Sequence, residues 1–132
     1  MKKIEIIIAL NKFKKSFLKL KEGLDKENIT ELERDGLIQR FEFTFDTFWK
    51  TIKIFLKYSG FECSSPRECI KIAFKTGLIP NDEIFLDMLE DRNTSTHIYN
   101  EEIAIEIYQR IKIYKEHFEK SIQLLEEFTK KY

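Results

Sequence analysis

At 132 residues with 42% hydrophobic and 35% charged side chains, the chain is sized for one globular domain and is too apolar to be disordered. Its 23 basic and 23 acidic residues leave a formal charge of zero. No global field therefore draws it to nucleic acid or membrane, and any RNA contact needs a local basic surface. Aromatics make up 14%, twelve of them Phe, an excess that leaves some free to face a partner subunit.

The first predicted helix runs from Lys3 to Leu24 on the stripe Ile6, Leu10, Phe13, Phe17, Leu20 and Leu24. Steps of four and three make a seam suited to nearly antiparallel bundle packing. Lys12, Lys14, Lys15, Lys19 and Lys21 around it read as a solvated face. Its apolar start is too short and too interrupted by Glu5 and the lysines for a signal peptide, and no stretch reaches membrane-spanning length.

A second helix is expected from Thr30 or Glu31 to Tyr58, on Ile38, Phe41, Phe45, Phe48, Ile52 and Phe55, with Phe43, Trp49 and Leu56 widening the arc. Such a helix is on the order of 40 Å long. Gly36 marks a kink or a close helix crossing, and Gly60 is the stop. Ser65, Pro66 and Glu68 form the N-cap, first position and capping box of a third helix. Ile70, Ala73 and Phe74 form its inner face, and Gly77 ends it. Arg67, Lys71 and Lys75 recur every four residues as one basic edge, read as solvated or as an RNA or phosphate contact. Cys63 and Cys69 match no zinc spacing and are expected as reduced thiols in a cytoplasmic protein. Asn81 caps a fourth helix, about Asp82 to Arg92, with Ile84, Phe85, Met88 and Leu89 inward. Asn100 caps a last helix on Ile103, Ile107, Ile111, Tyr114, Phe118, Ile122 and Leu125, with His117 on its surface. No strand pattern, repeat or linker appears, so residues 1–132 form a single all-α bundle of four to five up-and-down helices.

Between the last two helices lies Asp91-Arg92-Asn93-Thr94-Ser95-Thr96-His97-Ile98-Tyr99. Arg92 and His97 are five apart, about 140° around an unbroken helix, so they converge only where the helix stops or bends. The hydroxyls of Thr94, Ser95 and Thr96 favour such an end. An imidazole near its free pKa moves protons at neutral pH, and a guanidinium fork stabilises phosphate charge. With the amide of Asn93, this suits metal-independent phosphodiester chemistry in which the 2′-hydroxyl of RNA is the nucleophile. A two-fold dimer would double so thin a site. The plainer reading is that these residues only hold the junction together. No metal cluster, triphosphate loop or nucleophile elbow is present, and no cofactor is expected.

Arg92 through Tyr99 resembles the Arg-x4-His-x-Tyr motif of HEPN proteins. The blocks Arg34 to Phe43, Phe48 to Thr51, Ser65 to Glu68, Ala73-Phe74, Gly77 to Ile79 and Met88 to Asn93 resemble the branch called nucleotidyltransferase substrate-binding proteins. The middle of the motif departs from the frequent Arg-Asn-x-Thr-Ser-His. The resemblance implies a HEPN-like bundle that dimerises around the motif, with a minimal nucleotidyltransferase, usually encoded next door, as partner. It implies a metal-independent ribonuclease toxin using Arg92, Asn93 and His97, neutralised by AMPylation of Tyr99. Its alternative implication is a non-catalytic subunit that binds a substrate or nucleotide for a two-component nucleotidyltransferase.

Overall fold

The computed structural model describes residues 2–97 and 100–131. Five helices follow in order: α1 (Lys2–Leu24), α2 (Glu31–Tyr58), α3 (Pro66–Lys75), α4 (Glu83–Ser95) and α5 (Glu101–Thr129). The described residues contain no strand. Helix α2 is the hub and packs on all four others, whereas α1 reaches only α2 and α5.

The helix starts follow local chemistry. Thr30 and Glu33 close a reciprocal capping box on α2. Ser65 accepts from the Glu68 backbone N–H, but the Glu68 carboxylate reaches back to the N–H of Ser64, one residue beyond the expected box. Asn100 accepts from the N–H groups of Glu102 and Ile103 to start α5. At α4 the cap residue is Asp82, whose side chain makes no cap bond, while Asn81 Oδ1 takes the Ile84 N–H at 3.1 Å. Gly60 and Gly77 end α2 and α3 with φ of 92° and 79°, a region nearly closed to residues with a Cβ.

The predicted seams of α1, α2 and α5 are the core, with Leu24 half-buried and Ile103 exposed at their ends. Eight of the twelve Phe are buried, seven on these seams and Phe85 on α4. Phe48 stacks on Phe85 at 4.6 Å, and Phe13 and Phe118 meet it edge-on. Phe43 and Phe74 correct the expected faces, at 57% and 43% exposed. On α3 the inner edge is Cys69, Ile70 and Ala73, because this short helix packs only on α2 and α4.

Small polar side chains let α1 and α2 approach closely. Thr44 and Thr51 donate both to carbonyls one turn back and to the carbonyls of Ser16 and Ala9 across the interface. Gly23 marks the close crossing, since a Cβ there would lie 2.3 Å from Leu37 Cδ2. Gly36, expected in that role, has open space around it and lies within unbroken α2.

The two cysteines are joined, contrary to the expectation of free thiols. Cys63 lies in the segment leading to the cap of α3, and Cys69 sits on the buried side of its first turns. The helix start folds the chain back and brings their Cα atoms to 5.2 Å, within the reach of a disulfide. No described helix is long and apolar enough to cross a membrane.

Candidate functional site

Helix α4 runs to Ser95, three residues beyond the expected end, and stops at Thr96. The stop therefore falls between Arg92 and His97. Two anchors seat this last turn on α2. Arg92 donates from Nε and Nη2 to the two oxygens of Asp46, at 3.1 and 3.2 Å. Ser95 Oγ donates to Glu42, one turn away. Such a fork-to-fork pair fixes the plane of the guanidinium as well as its charge. The hydroxyl of Thr96 turns back to the Asn93 carbonyl at 2.9 Å.

The candidate residues of the motif are thus placed differently. Arg92 is half-buried and held by Asp46. Asn93 and His97 are exposed, and no hydrogen bond joins either side chain to Arg92 among the described residues. Tyr99 lies outside the described residues. Arg67, Lys71 and Lys75 all stand exposed along α3.

Directly behind Arg92, Asp91 is 7% exposed. Its oxygens accept two bonds of 2.8 Å from Arg110 and one of 2.5 Å from the Tyr114 hydroxyl, both on α5. Burial, and then the bond to Asp91, push the Tyr114 phenol far above its ordinary value. The bond from Arg110 to Asp91 raises that guanidinium in turn. Sequence reasoning missed this network. Its signal was the spacing of Arg110 and Tyr114, four residues apart and so on one face of α5.

Beside the motif, a cleft of about 700 Å³ opens between the first half of α2 and the start of α5. Glu31, Asp35, Glu42 and Glu101 make it rich in hydrogen-bond acceptors, and Ser95 and Asn100 close the motif side. Arg34 lies in its wall with its side chain 11% exposed, facing Asp35 at 3.4 Å and Glu101 at 3.5 Å. Its Nε is buried without a hydrogen-bond partner among the described residues. A buried donor of this kind costs stability unless an acceptor reaches it. No group of three or more His, Cys, Asp or Glu side chains that could hold a metal ion occurs among the described residues.

Residues 8–127 match the family model described as nucleotidyltransferase substrate binding protein like. The crystal structure of ttk003001694 from Thermus thermophilus is similar at a TM-score of 0.81 and 35% identity, covering 86% of this chain and 98% of that one. HI0074 from Haemophilus influenzae, described as revealing the fold of a substrate binding domain of a nucleotidyltransferase, aligns at a TM-score of 0.78 and 20% identity. It covers 89% of this chain and 98% of its own. No significant match occurs among curated proteins.

Proposed function

Since the chain belongs to the family of nucleotidyltransferase substrate binding protein like chains, we propose that it is the substrate-binding subunit of a two-component nucleotidyltransferase. The observation that carries this reading is the cleft of about 700 Å³ beside Ser95 and the end of α4, which falls in the usual size range for small-ligand sites. Its carboxylates suit a substrate that presents hydroxyl or amino groups. A hydroxyl is also the group onto which a nucleotidyl moiety is transferred. The partner is a minimal nucleotidyltransferase encoded beside this chain. The test is to co-express the two and measure their association by sedimentation velocity, then compare transfer rates with and without this subunit. A stable complex in which Glu42→Gln raises the KM for the acceptor, with kcat little changed, is expected. Two species that sediment independently at micromolar concentration would overturn the reading.

The exposure of Asn93 and His97 around the stop of α4 favours a second reading, a metal-independent ribonuclease toxin. In it His97 moves the proton and Arg92 stabilises the phosphorane, each worth about 10²- to 10³-fold in rate. Cleavage that persists in EDTA, leaves a 2′,3′-cyclic phosphate and disappears in His97→Ala is its signature. Unchanged cleavage in His97→Ala removes it. In this reading the nucleotidyltransferase silences the toxin by attaching AMP to Tyr99, and mass spectrometry after incubation with ATP and magnesium locates the adduct. Both readings accommodate a homodimer about the motif. Leu32 in the cleft wall, 81% exposed, supplies apolar surface for it, and light scattering reads the mass.

A further inference from the structure

The lysines of α1 do not form one solvated face. Lys14 and Lys21 turn to α5 and pair with Glu126 and Glu119, at 3.0 and 3.3 Å. Lys12, Lys15 and Lys19 turn the other way, onto a groove of about 500 Å³ between α1 and α2, where Arg40 and Lys50 join them. All five are exposed, and none of them has a carboxylate partner among the described residues. Arg40 spends one N–H on the Lys19 carbonyl at 2.7 Å, which leaves the rest of its fork free. Asp46 is the one acid of the lining, and it already holds Arg92. Five uncompensated cations around one concavity repel each other until an anion enters.

We propose that this groove binds the phosphate backbone of a single-stranded nucleic acid and carries it past Asp46, the partner of Arg92. Length argues for a chain of phosphates over a single one. Lys12 to Lys19 spans about 10 Å of α1, and Arg40 to Lys50 about 15 Å of α2, at 1.5 Å per residue. Within that row Phe43 stands 57% exposed in the groove lining. An open ring between cations is the stacking platform that unpaired bases use, and a paired base has no free face to offer it. A membrane surface fits less well, because an interfacial helix needs a broad apolar face, and here the cations surround a concavity with a single ring. Asp46 lies between Arg40 and Lys50 on the α2 wall of the groove and its carboxylate holds the motif arginine, so a strand lying in the groove passes the partner of Arg92. This inference concerns the isolated chain and stands apart from its pairing with a nucleotidyltransferase.

Fluorescence anisotropy with labelled oligouridylate and oligothymidylate of about twelve nucleotides tests it, at about 50 to 200 mM salt. The logarithmic salt slope should be about −2 to −3, for three or four phosphates at about 0.7 each. Lys15→Gln with Lys19→Gln should weaken binding at least tenfold and flatten the slope by about 1.4. Phe43→Ala should weaken it roughly tenfold with the slope unchanged, since stacking carries no ion release. Arg67→Gln, Lys71→Gln and Lys75→Gln together should stay within twofold. Every substituted side chain is exposed, and circular dichroism verifies the fold. Absence of binding at the lowest salt overturns the proposal, as does equal weakening by the α3 triple variant. An unaffected Phe43→Ala overturns the assignment to nucleic acid. ATP competing as well as the oligonucleotide would point to a mononucleotide site, and binding to phosphatidylserine vesicles alone would point to a membrane.

Discussion

Replacing Asp91 by Ala removes the acceptor that ties α4 to α5. Arg110 is 43% exposed at its side chain, so water takes over most of its bonding, and its pair contributes about 0.5–1 kcal/mol. The Tyr114 hydroxyl is the larger loss. It is buried, its bond to a carboxylate is of the charge-assisted kind worth about 1.5–3 kcal/mol, and after the substitution it is an unpaired buried donor. The sum is about 3 kcal/mol. For a chain of this length each kcal/mol moves Tm by about 3–5 °C, so Asp91→Ala should melt about 10–15 °C lower. Tyr114→Phe should cost only about 1–2 kcal/mol, because the ring keeps its stacking on Phe41 at 5.7 Å. The double variant should cost clearly less than the sum, since its Phe leaves no hydroxyl to strand. Urea and thermal unfolding of the four proteins measure the cycle. A drop below about 3 °C for Asp91→Ala, or strict additivity, would refute the reasoning.

Glu33 gives a pH prediction. Lys26 above all, and the Thr30 backbone N–H after it, hold its carboxyl down to about 2 from an ordinary 4.5. A lowered folded pKa stabilises fully above the unfolded value and is lost as pH falls through the folded one. Acid unfolding curves should therefore show wild type losing more stability than Glu33→Gln between pH 4.5 and about 2. Gly36→Ala should raise stability by about 0.5–1 kcal/mol in urea titrations, because the site is helical and a Cβ there meets nothing. Reducing Cys63–Cys69 should cost about 2 kcal/mol, the loop-closure entropy of so short a ring, read as a lower Tm in dithiothreitol.

The helices were legible because their signals are local. Thr30, Ser65 and Asn100 act on N–H groups two or three residues away, and the seam of α2 repeats with the helix itself. Phe74 misled because apolar character does not say which side of a ten-residue helix meets its neighbours. The thiols misled for a related reason. A spacing of six means little until the cap of α3 turns the chain back. At the site, Arg92 could be named, but its partner could not. Asp46 lies 46 residues away, and nothing in the sequence separates it from Glu42 or any other carboxylate of α2. The lysines of α1 show the same limit. Their sorting into paired and free sets depends on which helix lies on each side.

That sorting has a consequence for the protein as a colloid. Carboxylates gather on one flank of α2 and ammonium groups on another, so a molecule of zero net charge still carries an electric dipole. In dilute buffer near its pI of about 6.8, copies attract one another head to tail with no net repulsion to keep them apart. Simple salt shortens that attraction to about 8 Å at physiological strength. The protein should consequently salt in: clear at moderate ionic strength, turbid on dialysis into water, and retained by both anion and cation exchangers at the same pH.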